Sequence, residues 1–273
     1  MRENKIESSN KGHRILAIMG VVAMLVILAG VVVAYGSLRD LWLEQCVIRD
    51  VSSQVSITDG RMVRADVVAE QFGLKNGANL ALIDFDEKRR KVLKKIPNIR
   101  AITVERHLPD RVDITVEERV PVVRLNIRGR KGDSGRVADT EGVVFNSSSG
   151  TQTLPTIREA AAPGTQKGQV LAGRVLAALK LVETCREKFS SLAVIEADAS
   201  RPDYIMIVLG TDYSRAKVAW DGMDDPTPAT MPALERQLKC LSDAIASRVD
   251  GSIRVWDATI PNRAFGDTQK GFL

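Results

Sequence analysis

Aromatic residues make up only 4% of this 273-residue chain. Its core must therefore be assembled from Val, Ile, Leu and Ala. Histidine occurs twice, at His13 and His107, and cysteine three times, at Cys46, Cys185 and Cys240. No two cysteines stand at C-x-x-C spacing, so zinc-ribbon and thioredoxin-like redox chemistry have no ligand set here. A net charge of +5 is thin for this length, and no RNA-binding aromatic motif or basic-region helix accompanies it. Such a charge suits an anionic membrane or wall polymer, and nucleic acid is excluded as a partner. The adjacent carboxylates Asp224-Asp225 and Glu117-Glu118 sit in a loop or point to opposite sides of a strand, which serves solubility rather than acid–base catalysis. No cofactor, metal or small-molecule substrate site emerges from these residues.

One segment departs from the averages. Ile15 to Tyr35 forms 21 consecutive residues without a charge. As a helix this run reaches about 31 Å, the thickness of the roughly 30 Å hydrocarbon layer. Arg2, Lys5, Lys11 and Arg14 outnumber Glu3 and Glu7 ahead of it, so the positive-inside rule keeps the tail 1–14 cytoplasmic and exports the chain beyond Tyr35. Ala34-Tyr35-Gly36 also fits a signal-peptide cleavage site. The apolar run exceeds the usual signal core of about 7–15 residues, which favours a retained single-pass anchor at 15–35. In an oxidising compartment the odd cysteine count leaves at least one thiol unpaired; a Cys185–Cys240 bridge and three free thiols both fit the sequence.

Gly132-Asp133-Ser134-Gly135 matches the letters around the nucleophile of trypsin-like proteases. Activation needs a base within hydrogen-bond reach and a group that orients it. His13 lies across the membrane, and His107 sits beside the Leu108-Pro109 turn. Arg136 follows Gly135 where an oxyanion-hole continuation would be needed, and nothing brings Lys131 to Ser134. The stretch reads as a loop, and the chain as a non-enzyme.

Periodicity organises the rest. Strand-like 47–58 precedes a helical stripe over 62–74, carried by Met62, Val63, Val67, Ala69 and Phe72. After a short extended piece at 79–85 comes a helix at 86–96, with Asp86 and Glu87 at its N-terminus and Lys94 and Lys95 at its C-terminus, matched to the helix dipole. Its remaining cations, Lys88, Arg89, Arg90 and Lys91, read as a solvated face or as a contact for acidic lipid or a partner. Strands 101–107 and 111–118 alternate with period two around Leu108-Pro109-Asp110. Residues 46–118 thus predict a three-stranded sheet covered by two helices. Glu118-Arg119, at the junction with a second domain, reads as solvated surface charge in preference to a hinge salt bridge. In that domain, short strands at 120–127, 136–145, 192–198, 204–210, 216–220 and 252–260 are interrupted by helices at 168–189 and 231–249. It is α+β with a largely antiparallel sheet, spans 119–266 and leads into a tail, 267–273.

Ile96-Pro97-Asn98-Ile99-Arg100-Ala101, Val104-Glu105-Arg106-His107-Leu108-Pro109 and Glu118-Arg119-Val120-Pro121-Val122-Val123 form an ordered set of landmarks. Gly77 to Leu80 with Ile83-Asp84, the hairpin Val137 to Phe145, and Leu154-Pro155-Thr156-Ile157 extend it. Together they resemble the FtsQ/DivIB family of bacterial cell-division proteins, with its POTRA domain and β domain. The resemblance is sharpest over 77–157. It implies a bitopic scaffold of the inner (cytoplasmic) membrane at the division septum, which regulates septal peptidoglycan synthesis through protein–protein binding. Another POTRA-bearing component of envelope assembly or export is the alternative. The implied partners are FtsB/FtsL-like coiled-coil membrane proteins, received by strand addition at the C-terminal edge. Carried onto this chain, the contact positions are Thr259, Ile260, Arg263, Ala264 and Phe265. The family often reads Asp-hydrophobic-Arg there. This chain has Asp257-Ala258-Thr259 and then Ile260-Pro261, and Pro261 removes one ladder donor.

Overall fold

A computed structural model of the chain describes residues 4–58, 60–127, 135–147, 150–159, 166–248 and 253–267. Lys131 and Ser134 lie outside them, as do Asp59, Ser148, Ser149, residues 160–165, Val249, Ser252 and most of the tail 267–273. The protein is α+β, with an apolar N-terminal helix, a small three-stranded sheet and a nine-stranded sheet. It divides into two compact units: 1–58 with 65–89 and 103–115, and 59–64 with 90–102 and 116–273.

In the first unit, helix α1 runs unbroken from Asn4 to Gln45. Met19–Gln45 is long and apolar enough to cross a membrane, and no residue of its most apolar stretch is buried. The apolar run predicts an anchor ending at Tyr35 with a connecting segment after it. The helix instead continues through Gly36, because Leu38, Leu41, Trp42 and Leu43 are residues a helix accommodates and no proline intervenes. Asn79 Nδ2 donates to the carbonyl of Leu43 at 2.8 Å, satisfying one of the helix's last open acceptors. A short helix α2 (Val51–Gln54) comes next, started by Asp50, whose carboxylate accepts from the Ser52 amide at 3.0 Å. A third of the strand expected at 47–58 is therefore this turn of helix, and β1 (Val55–Ile57) is the part that forms a strand.

Helix α3 spans Ala65–Phe72 and α4 Phe85–Lys95. α3 begins three residues later than its stripe suggested and buries Val68 and Phe72, leaving Val67 39% exposed. β2 (Ile99–His107) and β3 (Arg111–Glu118) complete a sheet of order β1-β3-β2, with β1 parallel to β3. Ile48, Phe72, Leu80, Val112 and Ile114 fill the core of the first unit. Phe72 and Phe85 meet with ring centroids 6.1 Å apart, and the Arg106 guanidinium lies over Phe85 at 5.6 Å.

The second unit holds strands β4 (Val123–Ile127), β5 (Arg136–Ala138), β6 (Val144–Asn146), β7 (Thr156–Glu159), β8 (Val194–Asp198), β9 (Ile205–Leu209), β10 (Arg215–Val218), β11 (Val255–Ala258) and β12 (Phe265–Asp267). Their order is β12-β11-β10-β9-β8-β7-β4-β5-β6. Pairing is mostly antiparallel; β4–β7, β7–β8 and β10–β11 are the parallel contacts. Helices α5 (Gly173–Lys188) and α6 (Met231–Ala246) bury Leu179, Leu181, Leu234, Leu238 and Leu241 against Ile205, Ile207, Ala216 and Trp256. Along β9, Ile205, Ile207 and Leu209 are buried while Met206 and Val208 are half-buried, the alternation of a sheet packed on one face.

Charge organises the segments of the second unit that precede its large sheet. The Glu118 carboxylate accepts from the backbone amides of Arg61, Met62 and Val63 at 3.0, 2.9 and 2.7 Å. Arg119, 13% exposed, is held by Asp139 and by Glu141 at 2.7 Å, and Arg100 bridges Glu117 and Glu141 at 2.9 and 3.0 Å. Burial opposes the Arg119 charge, but the two carboxylates outweigh it and raise the pKa further. Surface charge was the expectation for Glu118-Arg119. The pair is instead consumed by contacts 20 to 57 residues away.

Candidate protein-binding edge

The nine-stranded sheet ends on β6 and β12. β6 is occupied: the Val144 amide donates to the carbonyl of Gln169 at 2.9 Å, and the Gly168 amide to the carbonyl of Val144 at 2.8 Å. β12 pairs on its inner side with β11, through Asp257–Phe265, Trp256–Gly266 and Val255–Asp267. Among the described residues no strand pairs with its outer side. Open strand edges present unpaired amides and carbonyls, the template on which an extended segment adds.

The turn leading into β12 has its own logic. The Arg263 amide donates to the carbonyl of Ile260 at 3.1 Å, closing a four-residue turn with Pro261 and Asn262 in its centre. Asn262 has φ of 58°, a left-handed conformation that asparagine tolerates, and Pro261 suits the position before it. Pro261 thus belongs to the turn, where its missing amide costs no ladder bond.

A buried glutamine holds this turn from behind. Gln237 of α6 is 2% exposed. Its Nε2 donates to the carbonyls of Ala258, Ile260 and Arg263 at 2.7, 2.9 and 2.9 Å, and its Oε1 accepts from the Asn262 amide at 2.9 Å. Sequence reasoning passes over Gln237, although a polar residue between Leu234, Leu238 and Leu241 on a buried stripe is a signal. Beside it lies a half-open groove of about 520 Å³ lined by Trp220, Arg236, Gln237, Pro261 and Asn262 among others.

The five expected contact positions divide by orientation. Ile260 and Phe265 are 50% and 51% exposed, and Arg263 is exposed as well. Thr259 is half-buried; its amide and hydroxyl both donate to Asp257 Oδ1, at 3.0 and 2.6 Å. Ala264 packs against the hydrophobic core. Gly266 is exposed, yet a Cβ there would stand 2.7 Å from Ile253 Cγ2 and 3.2 Å from Trp256 Cζ3. Only glycine lets β12 lie this close.

Other candidate chemistry is sparse. Among the described residues no three His, Cys, Asp or Glu side chains converge as a metal site. His107 Nε2 lies 3.1 Å from Asp113. Cys46, Cys185 and Cys240 are free thiols, so the bridge left open by the sequence is not formed. Cys185 is buried, which pushes its thiol up to about 12 and removes it from nucleophilic use.

Among the described residues, these features define a chain with one membrane-length helix, a small three-stranded sheet and a nine-stranded sheet with one unpaired edge. Residues 52–119 match the family described as POTRA domain, FtsQ-type. The chain is 25% identical over 227 residues to the cell division protein FtsQ of Corynebacterium glutamicum, covering 82% of this chain and 91% of that protein. It is 24% identical over 221 residues to FtsQ of Koribacter versatilis, spanning 59% of that protein, and 30% identical over 135 residues to FtsQ of Streptomyces collinus, spanning 46%. Residues 52–119 are thus an FtsQ-type POTRA domain, and the chain as a whole is similar to the cell division proteins FtsQ. The family resemblance and the fold class read from the sequence both hold.

Proposed function

We propose that this protein is a non-enzymatic, single-pass scaffold of the bacterial division machinery. Its tail lies in the cytoplasm and the chain beyond the apolar run on the other side of the membrane, at the septum. It links early and late division proteins and regulates septal peptidoglycan synthesis by binding rather than by catalysis. The partners are FtsB/FtsL-like coiled-coil membrane proteins, and they bind by adding a strand to β12. The observation that carries this reading is the asymmetry of the large sheet: β6 is paired by residues 168–169, whereas among the described residues no strand pairs with the outer side of β12, and Ile260 and Phe265 are both exposed. Exposed apolar side chains on a bare strand edge are a liability unless a partner covers them.

Photocrosslinking in dividing cells from Ile260, Arg263 and Phe265 tests it. A small coiled-coil membrane protein captured from all three supports the reading. A partner captured elsewhere on the chain, with nothing at these positions, overturns the site.

A further inference from the structure

We propose that Gln237 is a positioning residue for the binding edge: it fixes the turn 260–263 and thereby sets the outward placement of β12 that a partner strand needs. The inference rests on the strand-addition reading.

Four contacts converge on one side-chain amide, and they are not equivalent. Nε2 carries two hydrogens and faces three carbonyls. Two of these have other donors: Ala258 accepts from the Ala219 amide at 3.2 Å, and Ile260 from the Arg263 amide at 3.1 Å. For the Arg263 carbonyl and the Asn262 amide, Gln237 is the partner the structure provides, at 2.9 Å each. Those two groups bracket the step from left-handed Asn262 into the strand. Without Gln237 they turn to water, and the turn can reorient with little change to the helix that bears it.

The arrangement is also specific to an amide. A side chain able only to accept would repel three carbonyls, and one able only to donate would strand the Asn262 amide. Gln237 lies on the same buried stripe as Leu234, Leu238 and Leu241, where an apolar residue would serve packing better. A polar group at such a site is explained by the turn it holds.

The test uses the full chain in nanodiscs and hydrogen exchange of two fragments, one covering 259–267 and one covering β9. In Gln237→Met, which keeps the volume and removes the hydrogen bonds, the first fragment should exchange about tenfold faster, as expected for one to two buried bonds lost. The β9 fragment should be unchanged. Leu238→Ala, a cavity variant on the same helix, should accelerate both together. Gln237→Glu supplies the discriminating readout. At neutral pH its carboxylate can only accept, with Arg236 and Asp221 on the groove wall as the charged neighbours, the Arg263 backbone carbonyl within hydrogen-bond reach and Asp257 engaged with Thr259. Once protonated it offers one O–H to the Arg263 carbonyl. Protection relative to wild type at the same pH should therefore recover on acidification for Gln237→Glu and not for Gln237→Met.

In cells, crosslinking from Phe265 should fall about tenfold in Gln237→Met. Wild-type exchange of 259–267 in that variant, or equal acceleration of both fragments, overturns the proposal. Accelerated exchange with undiminished capture from Phe265 overturns it as a statement about binding. Absence of capture in the wild type removes the strand-addition reading itself, whereas the exchange data test the hold of Gln237 on the turn independently of it.

Discussion

Glu118 reaches back along the chain to hold Val63, its carboxylate 2.7 Å from the Val63 amide and 2.9 Å from that of Met62. Both contacts are partly buried, so deleting the acceptor strands two donors. Glu118→Ala should cost about 2–3 kcal/mol locally, and Glu118→Gln, which keeps one acceptor oxygen, about half as much. Gly60 is the other half of this arrangement. A Cβ there would stand 2.1 Å from Glu118 Oε1 and 2.9 Å from the Val63 carbonyl. Gly60→Ala should therefore match or exceed the loss in Glu118→Ala. Hydrogen exchange of the fragment 60–64 in the full chain reads both.

The three thiols give an independent check on packing. Cys46 and Cys185 are buried and Cys240 half-buried, each unbonded to another sulfur. Burial holds the Cys185 proton up to about 12, so its thiolate is scarce at any ordinary pH. Native protein treated with a maleimide should gain one label rapidly, at Cys240, and three after denaturation. A product without free thiols at 185 and 240 would show a bridge that this fold does not contain.

How much of this was visible in the sequence varies with the length of the signal. α4 announced itself by Asp86 and Glu87 at one end and Lys94 and Lys95 at the other, and β3 by the alternation Val112, Ile114, Val116; both lie within a residue or so of their expected bounds. β7 left no such trace. It has four residues with one buried apolar side chain, Ile157, and is a strand because β4 and β8 pair with it on either side. The same holds for Glu118 and Arg119, whose partners are distant in the chain. At the edge, Ile260 and Phe265 were singled out only through the family resemblance, and Gln237 was not singled out at all. Its role depends on carbonyls 21 to 26 residues away, presented by a turn that no local pattern specifies.

Acid should weaken the second unit through Asp212. Burial raises the pKa of this carboxyl, but hydrogen bonds from Ser214 and Arg248 outweigh it and hold the value at about 2, below the ordinary 3.8. A depressed folded pKa means the stabilisation is complete above the unfolded value and is lost as pH falls from about 4 toward 2. With Arg248 29% exposed, solvent screening limits the contribution to about 1–2 kcal/mol. Unfolding midpoints of wild type and Asp212→Asn should differ most near neutral pH and converge near pH 2. A difference that stays constant across that range would show that Asp212 acts through packing rather than charge.

β12 itself supplies the sharpest pair of substitutions. Gly266→Val forces a branched side chain into Ile253 and Trp256, which already stand 2.7 and 3.2 Å from where its Cβ would be. The strand must lift off β11, and partner binding should fall by at least about tenfold while the rest of the sheet keeps its exchange protection. Phe265→Lys acts differently. Phe265 is 51% exposed and opposite Asp257, so lysine there leaves β12 in place and even gains a cross-strand charge pair. The unfolding midpoint should therefore hold, yet an added strand would meet a solvated cation where it needs an apolar neighbour, one of the devices by which edges are kept unpaired. Crosslinking from Ile260 should then drop about tenfold with stability unchanged. If Phe265→Lys binds the partner as wild type does while Gly266→Val does not, backbone pairing alone carries the interaction and the exposed ring contributes nothing to it.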